Sequence, residues 1–366
     1  MHEYLATAAD CFVRKGKTAE IREYGNGNIN DTFLVMSHGG EAERFILQRI
    51  DSGVFRRPDL VMKNVRIVTN HVLQRLRRGY PLGGRRWEAP QLLPAADGSD
   101  YWIDPQGSFW RAMSFIEDAQ SHDVVEDVGQ AWEVGWALGM FHGLISDLPV
   151  ERLEDTLEGF HVAPLYLARY DQAAVVKQPE KTPEMDHAVR FVSERRSRAG
   201  VLEDARESGR LRLRPIHGDP KVNNILLDVS TRRAVAMVDL DTVKPGLVHY
   251  DLGDCLRSAC NPLGEETDRW EAVRFEPDLC RAILEGYLPH AKDFFTADDV
   301  EFLFEAIRLI PFELGLRFLT DHLEGNPYFK AKWHGHNLMR ALVQFRLVES
   351  IESQESAIRS LIREIG

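Results

Sequence analysis

Between Ile216 and the apolar run Ile225-Leu226-Leu227 the chain reads His217-Gly218-Asp219-Pro220-Lys221-Val222-Asn223-Asn224. A carboxylate, an ammonium and an amide lie within one short loop. Asp219 precedes Lys221 by two residues and Asn224 by five, the D-x-K-x-x-N spacing of enzymes that move phosphoryl groups. In such a loop the aspartate aims or deprotonates an acceptor hydroxyl, the lysine offsets charge on the migrating phosphoryl group, and the asparagine oxygen holds Mg²⁺. Asp239, fifteen residues after Asn224 in Val238-Asp239-Leu240-Asp241, follows the apolar stretch 234–238 and stands where the main metal ligand is expected. Polar turn residues around a short hairpin would explain any one of these positions. They do not explain the set.

The elements ahead of this loop read as a small antiparallel sheet. Residues 3–15 have helical spacing, 21–24 and 32–36 are strands, and 25–31 between them read Gly25-Asn26-Gly27-Asn28-Ile29-Asn30-Asp31. Glycines without a Cβ let backbone N–H groups approach phosphates, and asparagines tolerate positive φ, so Gly25, Asn26, Gly27 and Asn30 are candidate nucleotide contacts. The alternative is a plain Asn-Gly hairpin turn. Arg49, near the end of the expected third strand 44–50, is the charged residue available to grip α- and β-phosphates, against the alternative of a solvent-facing strand arginine. The helix expected over 58–78 carries no glutamate to pair with it. Residues 109–118 read as a strand running into a connector, where Ser114, Phe115 and Ile116 could present backbone groups and apolar walls to an adenine ring.

Beyond the connector the periodicity is helical. In the helix expected over 124–145 the small residues Gly135 and Gly139 permit close contact, and His142 reads as a core or capping histidine rather than a catalyst. Residues 156–170, with Phe160, His161, Tyr166 and Tyr170, either close over a ligand or connect helices. A surface helix is expected over 183–208, a third acidic group at Asp251 and Asp254, and helices over 278–288, 297–323 and 336–365. Leu303, Ile307, Ile310 and Leu314 form one apolar stripe that continues into Arg317 and Asp321. A charge on a buried stripe must be paired or must face a polar cavity. The two residues could instead pair with each other at an exposed helix end, and Pro311 could kink the register.

Length and composition bound these readings. With 366 residues, 44% hydrophobic and 28% charged, the chain has the composition of an ordinary globular protein large enough for two lobes. A net charge of −12 with only short basic clusters argues against a nucleic-acid partner. Four cysteines without C-x-x-C spacing argue against a zinc site or disulfide framework, and no apolar run of membrane-spanning length occurs. A cytoplasmic protein without a membrane partner is the expectation.

Three strands with a glycine turn, a strand-end cation, a linker, and then H-x-D-x-x-x-x-N with a later aspartate resemble the aminoglycoside phosphotransferase and choline kinase superfamily. Within it, Tyr24-Gly25-Asn26-Gly27, Ile29-Asn30-Asp31-Thr32, 46–50, the loop itself, 238–242, 245–247, 315–321, 328–330 and 335–338 look like the N-acetylhexosamine 1-kinase family. The resemblance implies an α+β, bilobal, protein-kinase-like fold, with a small antiparallel β-sheet N-lobe over 1–113, a hinge at 114–121 and a mainly helical C-lobe over 122–366. It implies ATP and Mg²⁺ as cofactors, a small-molecule sugar substrate, and transfer of the γ-phosphate to the anomeric hydroxyl of GlcNAc or GalNAc. In that scheme Asp219 is the hydroxyl-orienting carboxylate, Lys221 the neutralising cation, Asn224 and Asp239 the metal ligands, and Arg317 and Tyr328 the sugar contacts. Two departures stand out: the metal motif reads Asp-Leu-Asp rather than Asp-Phe-Gly, and Asn28 occupies a position where histidine is expected. The competing readings are a sibling phosphotransferase acting on choline, an aminoglycoside or homoserine, and a nucleotide-binding protein without activity.

Overall fold

The structure, a computed structural model, describes residues 2–13, 17–25, 29–38, 44–177 and 181–365. Helix α1 (His2–Asp10) leads into strands β1 (Lys17–Glu23), β2 (Asp31–His38) and β3 (Arg44–Ile50), then helix α2 (Pro58–Arg77). Two short strands, β4 (Leu92–Leu93) and β5 (Trp102–Ile103), precede β6 (Phe109–Ser114). These strands form one antiparallel sheet in the order β1-β2-β3-β6-β4, with β5 added to β6. Strand alternation divides its side chains between two helices. Phe45, Leu47, Trp110 and Ala112 pack towards Ala8, Ala9 and Phe12 at α1. Ile50, Phe109 and Met113 face the other way, into a core shared with Val61, Met62 and Val65 of α2. Gln48 and Arg111 lie on this second face and are direct cross-strand partners.

The connector adds β7 (Ala119–Gln120), which pairs with β9 (Ile225–Asp228) in the small sheet β10-β9-β7, where β10 is Ala234–Met237. Helices α3 (Val128–Ile145), α4 (Ala163–Lys177), α5 (Pro183–Arg195) and α6 (Val201–Glu207) come between them in sequence. Strands β8 (Arg214–Ile216) and β11 (Lys244–Gly246) make a two-stranded ribbon, and helices α7 (Val248–Ala259), α8 (Pro277–Ala291), α9 (Ala297–Glu324), α10 (His336–Ser353) and α11 (Glu355–Ile365) complete the chain.

Several boundaries differ from the periodicity. Helix α3 begins at Val128 because Asp127 caps it, its side chain accepting from the Gln130 amide. The helix expected over 183–208 is broken between Arg195 and Val201, and Met185, Ala188, Phe191 and Val192 make α5 half core rather than a surface helix. The last expected helix is split at Gln354. Helix α9 runs without interruption through Pro311, which is buried among apolar neighbours. No helix among the described residues is long and apolar enough to cross a membrane, and the four cysteines are unbridged.

Packing of α3 on α8 is the closest approach in the helical region. A Cβ placed on Gly135 would come within 1.9 Å of the Ile283 carbonyl oxygen, and one on Gly286 within 2.3 Å of that of Trp132. In a free helix Gly→Ala gains about 1 kcal/mol. Here the sign should reverse: Gly135→Ala should cost ~2 kcal/mol or more by overpacking, read from chemical denaturation midpoints. An unchanged or higher midpoint would show that the two helices can part freely.

Candidate active site

The loop between β8 and β9 is held by its backbone before any of its side chains acts. Gly218 sits at φ +86°, and a Cβ there would meet the Thr242 carbonyl oxygen at 2.5 Å, so both conformation and space require glycine. Asp251, fully buried in the first turn of α7, accepts the His217 amide at 2.7 Å and the Gly218 amide at 2.8 Å, one on each carboxylate oxygen. His142 Nε2 donates a third hydrogen bond to Asp251 at 2.7 Å, while its Nδ1 accepts from the Tyr287 hydroxyl at 2.9 Å. His142 is thus a core histidine, as its sequence context suggests. Burial works against the Asp251 charge, yet His142 and the loop amides hold its carboxyl below the usual aspartate value. His217 donates from Nε2 to the Val238 carbonyl at 3.0 Å and receives the Asp219 amide on Nδ1 at 3.3 Å. One acceptor and one donor as neighbours describe a neutral imidazole, and burial pushes its pKa down.

On this frame the three side chains singled out by spacing come together. Lys221 Nζ donates to Asp219 Oδ2 at 2.7 Å, and Asn224 Nδ2 donates to the Asp219 carbonyl at 2.7 Å and to Oδ2 at 3.3 Å. The Asn224 amide group being committed to Asp219, its Oδ1 is the atom left to take a cation. Burial opposes the lysine charge, but Asp219 and Asp239 hold its pKa above the ordinary value. Asp239 adopts φ +62°, ahead of a tight turn over Leu240–Thr242. Surrounding protein, and then the charge of Asp241, push its pKa up to about 7. Among the described residues no three His, Cys, Asp or Glu side chains close a preformed metal cage. Asn224 Oδ1 and the Asp239 carboxylate are the oxygen donors of this loop and hairpin that could hold a divalent cation.

The nucleotide side differs from the sequence reading. Gly25 takes the left-handed conformation at φ +73°, while Asn26, Gly27 and the departure at Asn28 lie outside the described residues. Asn30 reaches the metal motif, donating to Asp241 Oδ2 at 2.6 Å and receiving the Asp51 amide at 2.9 Å. Arg49 does not face this group. Strand alternation places it on the face of Phe45 and Leu47, ion-paired with its cross-strand partner Asp31, about half exposed. The cation that the sheet turns towards Asp241 is Arg111, buried and ion-paired with that carboxylate, its guanidinium also donating to Gln48 Oε1 at 2.9 and 2.7 Å. Helix α2 supplies Asn64 where a glutamate is missing, bonded to the Val243 carbonyl just after the metal motif at 2.9 Å. In the connector, the Ser114 amide already donates to the Gln91 carbonyl at 2.8 Å and so is no free donor to an adenine edge. Phe115 stands edge-on to Tyr24, and Ile116 is buried on Val235 and Ala236 of β10.

The other side of Asp219 holds Arg317. Its guanidinium lies 4.9, 5.3 and 5.4 Å from the rings of Phe160, Tyr166 and Phe329, and 3.6 Å from the buried Glu313 carboxylate one turn earlier. Burial opposes its charge, and Tyr166, Glu313, Tyr328 and Asp219 hold it charged. Pairing with Asp321 at an exposed helix end is overturned: Asp321 is buried and accepts the Tyr328 and Phe329 amides at 2.8 and 3.0 Å. It thereby shapes the turn that presents the partly exposed Tyr328. The spacing does not mark Arg111, Glu313 or the anchoring role of Asp251, and it marks His161 only as part of a segment that closes over a ligand or connects helices. For Arg111 a signal was available, since a charge among Trp110, Ala112 and Met113 on a strand poses the same question as Arg317 on its stripe.

Known proteins share the family signature and the architecture. The model of the phosphotransferase enzyme family matches residues 20–284. An aminoglycoside phosphotransferase from Alicyclobacillus acidocaldarius is similar at a TM-score of 0.63 and 12% identity, over 98% of this chain and 96% of its own. A choline kinase from Cryptosporidium parvum gives 0.57 and 13%, over 94% and 91%. An amicoumacin kinase in complex with AMP-PNP and Ca²⁺ gives 0.56 and 14%, over 97% and 93%. At such identities the likeness is one of fold.

Because Asp251 titrates below its ordinary value, its contribution to stability is present above the unfolded pKa near 4 and lost as pH falls through the folded one. Asp251→Asn should cost ~3 kcal/mol at neutral pH, with the deficit shrinking below about pH 4. Denaturant melts at stepped pH measure it. Equal stability at neutral pH would mean that the carboxylate does not anchor the loop.

Proposed function

The chain belongs to the phosphotransferase enzyme family, and from that premise we propose that it transfers the γ-phosphate of ATP to the anomeric hydroxyl of an N-acetylhexosamine, giving the sugar 1-phosphate. The observation that carries the acceptor class is Arg317. A quaternary ammonium is recognised by an aromatic cage, and here the aromatic rings beside the catalytic loop already enclose the chain's own guanidinium. A fixed cation repels choline or an aminoglycoside and suits a neutral acceptor rich in oxygen. The net charge of −12 favours the cationic alternative, but a field spread over the whole surface steers encounters rather than reading the ligand.

In this reading residues 1–113 form the nucleotide lobe, 114–121 the hinge and 122–366 the lobe that binds the acceptor. Asp219 aims the acceptor oxygen, and an anomeric hydroxyl, being more acidic than an ordinary alcohol, asks little of it as a base. Lys221, already on Asp219, offsets charge on the phosphoryl group, while Asn224 Oδ1 and Asp239 hold the metal. A Mg²⁺ held there would supply positive charge to offset the negative charge on the phosphoryl oxygens. Arg111 and Asn30 occupy Asp241, which keeps that carboxylate as a brace between sheet and loop and leaves Asp239 to the metal. Positioning and charge do the catalysis.

ADP release on addition of each acceptor tests the class directly: N-acetylglucosamine or N-acetylgalactosamine should support turnover, and turnover with choline or kanamycin alone would overturn the reading. Arg317→Ala should raise the acceptor KM about tenfold, roughly 1.4 kcal/mol, and leave the ATP KM in place. For the metal, Asp239→Asn should weaken Mg²⁺·ATP binding seen by calorimetry, because a neutral amide is a poorer ligand for a hard cation. Unchanged Mg²⁺ dependence would remove Asp239 from the metal site.

A further inference from the structure

His161 lies between the catalytic loop and Arg317, and its neighbours define its charge. Nε2 is 2.8 Å from the Gly218 carbonyl oxygen, and Nδ1 is 3.2 Å from Glu313 Oε2. A carbonyl and a carboxylate both only accept, so both ring nitrogens must carry hydrogen. The contrast with His217, which has one donor and one acceptor, is direct. Glu313, 1% exposed, divides its carboxylate: one oxygen faces His161 and the other lies 3.6 Å from Arg317 Nη1. His161 is also held at φ +66°, a left-handed conformation that a non-glycine residue keeps only where its surroundings enforce it. That backbone turn lets Phe160 face Arg317 while His161 faces the loop.

We propose that His161 is a positioning residue kept as an imidazolium, which ties the catalytic loop to α9 and, through the carboxylate it shares with Arg317, sets how far that guanidinium reaches towards the acceptor. The second half rests on Arg317 being an acceptor contact; the first does not. The charged and titratable groups around the ring are Glu313 on α9, Asp254 and the stacked Tyr250 on α7, and, beyond Glu313, Arg317. Burial works against the imidazolium, and Glu313 and then Asp254 raise its pKa above the ordinary histidine value. A raised histidine is charged below its unfolded pKa and loses its contribution as pH rises through the folded one. Without the ring's charge Glu313 has only Arg317 to pair with and draws it away from the acceptor.

Side-chain ¹⁵N spectra of the full chain at about pH 7.5, where a free histidine is neutral, should show a ring protonated on both nitrogens that disappears in His161→Gln. With N-acetylglucosamine, His161→Gln should lower kcat and raise the acceptor KM about tenfold, with the ATP KM unchanged. Glu313→Gln should move the alkaline limb of acceptor kcat/KM to lower pH. If His161→Gln does not fold, Glu313→Gln replaces it in the spectra, and the doubly protonated ring should then lose a proton at the same pH. No doubly protonated ring in the wild type, or one that survives both substitutions, overturns the proposal, as does an alkaline limb that Glu313→Gln leaves in place. If no N-acetylhexosamine is turned over, the functional reading fails, and the spectra still decide the charge of His161.

Discussion

The carboxylate of Asp251 is the constraint on which the site depends. It accepts two consecutive loop amides and one imidazole N–H, and each would be a costly orphan if buried without a partner. His142 can make its bond only because α3 lies tightly on α8, where Tyr287 completes the ring's second hydrogen bond. The glycines that allow this approach, far from the loop in sequence, are thus part of how the backbone ahead of Asp219 is held. The loop has little freedom left: Gly218 admits no side chain, Thr242 donates to the His217 carbonyl at 2.8 Å, and His217 bridges to Val238.

Around that frame charges are balanced in pairs, some within one element and some across two. Arg111 and Asn30 from the sheet neutralise Asp241, Lys221 neutralises Asp219, and Glu313 serves both Arg317 and His161. Asp239 is left with an unsettled charge, its pKa pushed up to about 7. A carboxylate whose neighbours oppose its ionisation is one that a nearby cation would stabilise. His217 within the loop has one donor and one acceptor as neighbours, whereas His161 beside it has only acceptors, so the two rings differ in the protons they carry.

Some of this was legible in the residues and some was not. Local properties were: the loop's spacing, the small residues of α3, and the helical periods, because each depends on neighbours a few positions away. Boundaries slipped where a cap or a break decided them, at Asp127, between Arg195 and Val201, and at Gln354. Arg49 is the charged residue near the end of its strand, yet strand alternation turns it away from Asp241 and turns Arg111, on the neighbouring strand but about sixty residues later in the chain, towards it.

By itself the sequence determined the chemistry that could occur, since Asp219, Lys221, Asn224 and Asp239 are tied together by one loop and one hairpin whose short lengths leave them nowhere else to go. Only the tertiary structure decided which charges meet. Asp241 with Arg111, Asp251 with His142, and Glu313 with both His161 and Arg317 join positions far apart in the chain or, like Glu313 and Arg317, turn a local pair into part of a distant one. Burial sets the partners of such groups, because a charge removed from water must find its opposite wherever the packing brings it.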